Sequence, residues 1–118
     1  MPRDYKQQFD DILQAITFIR EYIKDMDYKA FEADRKTQDA VIRNLEIIGE
    51  AARILPDEVR DKATEIEWYK IIALRNILIH EYFGVNLDRT WKVVSEDIFD
   101  LKEKVVKVKE DLEKAGNT

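Results

Sequence analysis

The chain contains no cysteine, and this absence excludes several classes of protein. Without cysteine there is no disulfide framework, no thiolate nucleophile and no cysteine-ligated zinc site. The one histidine cannot form a histidine cluster, so we expect neither a metal site nor a cofactor. Glycine and proline are scarce, with three and two residues, and this scarcity favours long helices over a turn-rich β fold.

An excess of positive charge and a long apolar run are missing as well. The formal net charge of −5 argues against a general electrostatic nucleic-acid binder, so any contact with RNA would need a small local basic site. No apolar run approaches membrane-spanning length, and the first residues lack the apolar core of a signal peptide. We therefore expect a soluble, cytoplasmic protein with no membrane partner.

Apolar residues recur at three- and four-residue spacing in four segments, which predicts four helices. These helices are predicted at residues 4–26, 35–55, 67–83 and 87–112. The pattern predicts an all-α protein, an up-and-down four-helix bundle with one short extra helix. We expect one domain over residues 1–118, with its core at about 4–114.

Polar residues at the segment boundaries predict where the helices begin. Asp34 is the expected N-cap of the second helix, and Asp57 the expected cap of the short helix, which runs through Ala63. Either Asn86 or Asp88 is expected to open the last helix.

The third helix carries the residues that could support chemistry. Arg75, Asn76, His80 and Tyr82 lie within the otherwise apolar run 68–83. Polar groups in such a run are costly unless they are hydrogen-bonded or used. The spacing places Arg75 and Tyr82 on one side of the helix, and Asn76 and His80 on a neighbouring stripe, one turn apart.

The apolar residues of this helix surround most of its circumference, which predicts burial on more than one side. In so small a protein, part of that burial is expected to come from a second subunit. We therefore predict a homodimer, with Leu74 and Ile77 as contacts outside the core of one chain.

Together these polar residues meet the minimum requirement for cleavage of RNA without a metal. Arg75 supplies a forked cation suited to phosphate oxygens. His80 supplies proton transfer near neutral pH, and Asn76 can orient the imidazole or the substrate. One histidine cannot easily act as both base and acid in one turnover, but a two-fold dimer would bring two copies into one cleft.

The residues alone leave structural interpretations open. A lone histidine in an apolar helix is more often a packed core residue than a catalyst, and Tyr82 could be a packed aromatic. Arg75 could be a buried arginine paired with Glu46 or Glu50. The chain could then be a purely structural dimer, with Arg75 in a buried ion pair.

The segment resembles the HepT-like branch of the HEPN-domain ribonuclease toxins. The motif of that family is an arginine, four residues, a histidine, one residue and a tyrosine, which Arg75, His80 and Tyr82 match, with Asn76 in a position where the family favours a polar residue. The flanking residues WYKIIAL at 68–74 and FGV at 83–85, together with RNLEIIGEAA at 43–52, also resemble this family.

This resemblance implies a fold, an activity and a partner. The implied protein is a dimeric all-α bundle that acts as a metal-independent endoribonuclease, the toxin of a type VII-like toxin–antitoxin system. Its partner would be a minimal nucleotidyltransferase antitoxin of the MntA type, which adds AMP to the motif tyrosine and silences the toxin. By this resemblance Arg75, His80 and Asn76 are the expected catalytic residues, and Tyr82 is the expected site of AMPylation. The bulky anionic adduct would repel RNA. The alternative is a non-catalytic helical dimer module that binds a nucleotidyltransferase or a nucleotide and keeps the motif for assembly.

Overall fold

A computed structural model describes residues 4–80 and 86–116 of the chain. The elements in these ranges are helices α1 (Asp4–Tyr22), α2 (Tyr28–Glu32), α3 (Arg35–Ile54), α4 (Asp57–Asp61), α5 (Trp68–His80) and α6 (Leu87–Lys92), a π-helical turn (Val93–Asp97) and helix α7 (Ile98–Gly116). All regular structure in the two ranges is helical, which confirms the predicted all-α class. None of the described helices is both long enough and apolar enough to cross a membrane.

Helix α1 lies between α3 and α7, and α5 packs on α3. Near the start of α1, Asp10 pairs with Lys109 at 2.6 Å, whereas near its end Arg20 lies 4.7 Å from the ring centre of Phe99. Because the residue numbers rise along α1 as they fall along α7, these two helices are antiparallel. The molecule measures 51 × 29 × 20 Å, so it is about two helix diameters thick.

The apolar stripe of α3 forms the centre of the core. Its members are buried as the spacing predicts: Val41, Leu45, Ile48, Ala52 and Leu55. They meet apolar side chains of α1, of which Phe9, Ile16 and Ile19 are fully buried. Burial of such a stripe is the main source of helix stability in a small protein, because propensity alone rarely holds a helix in water.

The last predicted helix is helical throughout 87–116 but contains a π-helical turn at Val93–Asp97. The side-chain hydroxyl of Ser95 donates a hydrogen bond to the carbonyl oxygen of Trp91 at 2.6 Å. That carbonyl would otherwise accept only the backbone N–H of residue 95, so the hydroxyl competes with the regular helical bond. The apolar seam survives the turn, since Val94, Ile98 and Val105 are all buried.

A second short helix, α2, lies in the segment predicted to be a break. Asp27 caps it by accepting a hydrogen bond from the Ala30 N–H at 2.9 Å. Phe31 is fully buried, and its ring centre lies 5.2 Å from that of Trp91. The first helix also ends earlier than predicted, at Tyr22. One anchoring aromatic is too weak a periodic signal to predict so short a helix from sequence.

Two of the predicted helix starts are confirmed and one is wrong. Asp34 accepts a hydrogen bond from the Thr37 N–H at 3.0 Å, and Asn86 accepts one from the Arg89 N–H at 3.0 Å. Asp57, however, does not cap the short helix, because Pro56 occupies the N-cap position and makes no side-chain cap bond. The carboxylate of Asp57 pairs instead with an arginine one turn later.

Candidate active site

Helix α5 is fixed at its first residue by a buried tryptophan. The indole N–H of Trp68 donates a hydrogen bond to the carbonyl oxygen of Ala63 at 3.1 Å, and its ring lies 6.5 Å from that of Phe9. Near the other end of the helix, Leu78 is buried in the core. These two anchors fix the face of α5 that meets α3, and with it the direction in which the polar residues project.

The remaining faces of α5 are not covered by the described part of the chain. Tyr69, Ile77 and Ile79 are 69%, 40% and 39% exposed. Ile77 is therefore available to a second subunit, as the sequence predicts for a contact residue. Leu74 differs, because it is partly buried against the core of its own chain.

The first atoms of the Arg75 side chain are in direct contact with a glycine of α3. A Cβ atom built on Gly49 would lie 2.1 Å from the Cβ of Arg75 and 2.8 Å from its Cγ. Any other residue at position 49 would therefore overlap the arginine. The glycine in the middle of α3 allows the two helices to approach closely and lets the stem of Arg75 cross between them.

The guanidinium of Arg75 lies between two polar side chains. Its Nη2 is 3.0 Å from Oε2 of Glu50, and its Nη1 donates a hydrogen bond to Oδ1 of Asn76 at 2.9 Å. Of the two carboxylates that the sequence offered as partners, Glu50 is thus the one in contact. The other, Glu46, pairs with Arg43 on its own helix at 3.8 Å.

Glu50 also binds a second arginine, which the sequence reasoning missed. Arg53 donates from Nε to Oε2 at 3.1 Å and from Nη2 to Oε1 at 2.6 Å. The hydrogen bonds from Arg53, and then the charges of Arg53 and Arg75, hold the pKa of Glu50 below its ordinary value of 4.5. The i, i+3 spacing of Glu50 and Arg53 on α3 was the available signal.

Two guanidinium groups share this one carboxylate, so the group of Arg53, Glu50 and Arg75 keeps a net charge of about +1. The side chains of Arg53 and Arg75 are 50% and 24% exposed. The Nε of Arg75 is buried and has no hydrogen-bond partner among the described residues. The acidic chain thus carries a small local cationic site that is open to an anion such as phosphate.

The side-chain amide of Asn76 has a fixed orientation because it is hydrogen-bonded to Arg75. An amide NH₂ group cannot accept a hydrogen bond from an arginine, so the carbonyl oxygen of Asn76 must face the guanidinium. Its NH₂ group remains for another partner. The backbone of α5 places His80 one turn after Asn76, whereas the side chain of His80, and Tyr82 and Gly84 altogether, lie outside the described residues.

An open groove of 630 Å³ runs along the face of α5 that carries Asn76. Tyr69, Ile72 and Ala73 line it from α5, and Arg60 lines it from α4. Within the ranges that the structure describes, no three acidic or histidine side chains are grouped closely enough to hold a metal ion.

The fold is a helical bundle, and α5 carries an arginine and an asparagine about one turn before a histidine. These two features define the class of proteins with which the chain can be compared. Residues 12–108 match the family model described as "Ribonuclease HepT-like", and the chain belongs to this family.

Three relatives show how far the similarity extends. A protein of Methanocaldococcus jannaschii, named as a γ-glutamylcyclotransferase and candidate RNase, is 46% identical over 99% of this chain, which spans only 53% of that protein. A second M. jannaschii protein, named as a candidate RNase, is 43% identical over 87% of this chain and 94% of its own length. A protein of Thermococcus cleftensis, named "Probable ribonuclease HepT", is 43% identical over 92% of this chain and 99% of its own length. No solved structure matches the chain.

Proposed function

We propose that this protein is a metal-independent endoribonuclease and the toxin of a type VII-like toxin–antitoxin system. The observation that carries the proposal is the guanidinium of Arg75, held between Glu50 and Asn76 and still 24% exposed on the helix that bears His80. A buried structural arginine would have its charge fully enclosed, whereas this one is available to a phosphate. Membership of the ribonuclease HepT-like family supports the same activity.

In this proposal RNA supplies its own nucleophile. A base removes the proton of the ribose 2′-hydroxyl, the 2′ oxygen forms a bond to the adjacent phosphorus, and the bond from phosphorus to the 5′ oxygen breaks. An acid returns a proton to the leaving 5′ oxygen. His80 performs the proton transfers, Arg75 stabilises the charge that develops on the phosphate, and the NH₂ group of Asn76 binds the substrate.

Cleavage of an oligoribonucleotide in the presence of a chelator tests this proposal. The products should carry a 2′,3′-cyclic phosphate on one side of the cut and a free 5′-hydroxyl on the other. The same oligonucleotide with 2′-deoxyribose at the cleaved position should stay intact, because it lacks the nucleophile. Cleavage that stops on addition of the chelator would contradict the metal-independent mechanism.

The active form in this proposal is a homodimer assembled through α5. Three apolar side chains of this short helix, Tyr69, Ile77 and Ile79, are exposed, and a second copy of α5 would cover part of them. Two-fold symmetry would place two copies of His80 in one cleft, so that one could act as base and the other as acid.

We expect Ile77→Glu to dissociate the dimer. A charge buried at the centre of an apolar interface should weaken association by about 100-fold. Sedimentation velocity at micromolar concentration should then show a dimer for wild type and a monomer for Ile77→Glu. Phe99→Glu is the matched control, since Phe99 has the same 40% exposure but lies on α7. A wild-type monomer, or dissociation by the control substitution alone, would rule out this interface.

Regulation in this proposal acts on Tyr82. A nucleotidyltransferase partner would transfer AMP from ATP, so that the tyrosine oxygen bonds to the α-phosphorus and pyrophosphate leaves. In the helix predicted from the sequence at 67–83, Tyr82 would stand seven residues after Arg75, about 10 Å further along the axis on the same side. The phosphate of the adduct would compete with RNA for the guanidinium of Arg75.

We expect mass spectrometry to find AMP on the peptide that contains Tyr82 after incubation with such a partner and ATP. Tyr82→Phe should escape both modification and silencing, because it lacks the acceptor oxygen. Tyr69→Phe is the control: this tyrosine is 69% exposed on the same helix, and removal of its hydroxyl should change neither modification nor silencing. AMP on any other peptide, or on none, would refute this regulation.

A further inference from the structure

Glu50 touches Arg75 but has no part in the proton transfers proposed above. It lies on α3 directly after Gly49, the residue that lets the stem of Arg75 pass. Two successive residues of α3 therefore determine where the side chain of Arg75 lies. Gly49 leaves space for its aliphatic part, and Glu50 lies 3.0 Å from its guanidinium. We propose that Glu50 is a positioning residue that fixes the guanidinium of Arg75 for the phosphate, an inference that rests on the proposed ribonuclease activity.

A free arginine would serve the reaction poorly. Its long side chain has several rotatable bonds, and fixing them costs up to about 2 kcal/mol of conformational entropy. If folding already fixes the side chain, this entropy is not lost again during the reaction. The guanidinium is then in place when charge develops on the phosphate. The contacts of Arg75 with Glu50 and Asn76 approach it from two different helices, which restricts both its direction and its rotation.

Arg53 explains why Glu50 itself stays in place. The side chain of Glu50 is 41% exposed, so water competes for its carboxylate oxygens. Arg53 binds both oxygens from one turn further along α3, at 3.1 and 2.6 Å. A bidentate contact of this kind fixes the plane of the carboxylate as well as its position.

Arg75 remains available to a phosphate while it is held in this way. A guanidinium has five N–H groups; in Arg75 one binds Asn76, one more at most is directed at Glu50, and the one on Nε is buried, which leaves at least two on the Nη atoms. Since Glu50 shares its single negative charge between Arg53 and Arg75, it does not cancel the charge of the site. The arrangement therefore orients Arg75 without neutralising it.

Kinetics of three variants test the proposal. Glu50→Ala removes the acceptor and should lower kcat by about 10- to 100-fold, with little change in KM. Glu50→Gln keeps an acceptor oxygen and should recover most of that loss. The pH profile of the remaining activity should keep its shape in both variants, because Glu50 transfers no proton. Glu46→Ala is the matched control, one turn earlier on α3 and paired with Arg43, and should behave like wild type.

Wild-type kcat in Glu50→Ala would overturn the proposal, provided that Arg75→Ala is inactive. A displaced pH profile would also overturn it, because it would give Glu50 a role in proton transfer. If wild-type protein failed to cleave any RNA, the proposed function would fall, and a second measurement would still decide the role of Glu50.

That measurement is nitrogen-15 NMR of the arginine side chains, with the Arg75 signals identified by their loss in Arg75→Lys. Rotation of the Arg75 guanidinium should be slow in wild type and in Glu46→Ala, and fast in Glu50→Ala. Fast rotation in wild type, or equally slow rotation in Glu50→Ala, would show that Glu50 does not hold the arginine. If Glu50→Ala does not fold, Glu50→Gln replaces it, and rotation of Arg75 no faster there than in wild type would overturn the proposal.

Discussion

Replacing His80 by alanine is expected to abolish RNA cleavage while leaving the helical fold intact. Loss of a general acid or base typically costs about 10²- to 10⁴-fold in rate, and the single histidine leaves the chain no second imidazole to take over. Cleavage of an oligoribonucleotide in the presence of a chelator measures the loss, and circular dichroism monitors the helix content.

Two further arginine variants separate catalysis from simple attraction of RNA. Arg75→Ala should be inactive too, because the developing charge on the phosphate loses its cation. Arg43→Ala removes a more exposed arginine, with 72% of its side chain exposed, from the neighbouring α3. If the chain only attracted RNA by charge, Arg43→Ala would impair cleavage as much as Arg75→Ala. Full activity in His80→Ala would end the assignment of this site.

Much of the fold follows from periodicity, because burial of a stripe leaves a regular trace in the sequence. The stripe of α3 from Val41 to Leu55 and the seam from Leu87 to Leu112 are both confirmed. The caps at Asp34 and Asn86 are confirmed for a similar reason, since a cap is a local contact over three residues. Asp57 shows the limit, as an aspartate one position inside a helix looks the same in the sequence.

The features that could not be predicted depend on competition between neighbouring groups or on tertiary contacts. The π-helical turn contains a bond from the hydroxyl of Ser95 to the carbonyl of Trp91, but a similar bond from Thr17 to Leu13 leaves α1 regular, and the spacing of apolar residues gives no sign of the turn. Helix α2 is held by the contact of Phe31 with Trp91, sixty residues later in the chain. The aromatic contact lies outside any window of a few residues, and the apolar pattern is the same for a π-helical turn and a regular one.

The candidate site, too, was predicted only in part from the sequence. Spacing identified Arg75 and Asn76, and it left Glu46 and Glu50 as equal alternatives for the ion pair. Only the packing of α5 on α3 decides between them, because Gly49 sets where the arginine crosses. The roles of His80 and Tyr82 stay predictions from sequence, and the variants of these residues test them directly.

The second large effect is expected from Gly49→Ala. The added Cβ would lie 2.1 Å from the Cβ of Arg75 and 3.2 Å from the carbonyl oxygen of Ile71, so α3 and α5 would have to move apart. Such overpacking typically costs about 1–3 kcal/mol, which corresponds to a fall in Tm on the order of 5–15 °C for a chain of this size. The separation would also move Arg75 away from Glu50, so cleavage should fall as well.

Gly116→Ala is the matched control for that substitution. No atom of the described residues lies within 4 Å of a Cβ at this position, so the Tm of this variant should match that of wild type or rise slightly, since alanine favours the helix. The overlap in Gly49→Ala involves the Cβ atom of residue 75. Arg75→Ala keeps that atom and cannot relieve the overlap, whereas Arg75→Gly removes the atom and can. In a double-mutant cycle, Gly49→Ala should therefore couple strongly to Arg75→Gly and only weakly to Arg75→Ala. A Gly49→Ala variant with the Tm of wild type would show that α3 and α5 do not meet at this glycine, and the placement of Arg75 beside Glu50 would fall with it.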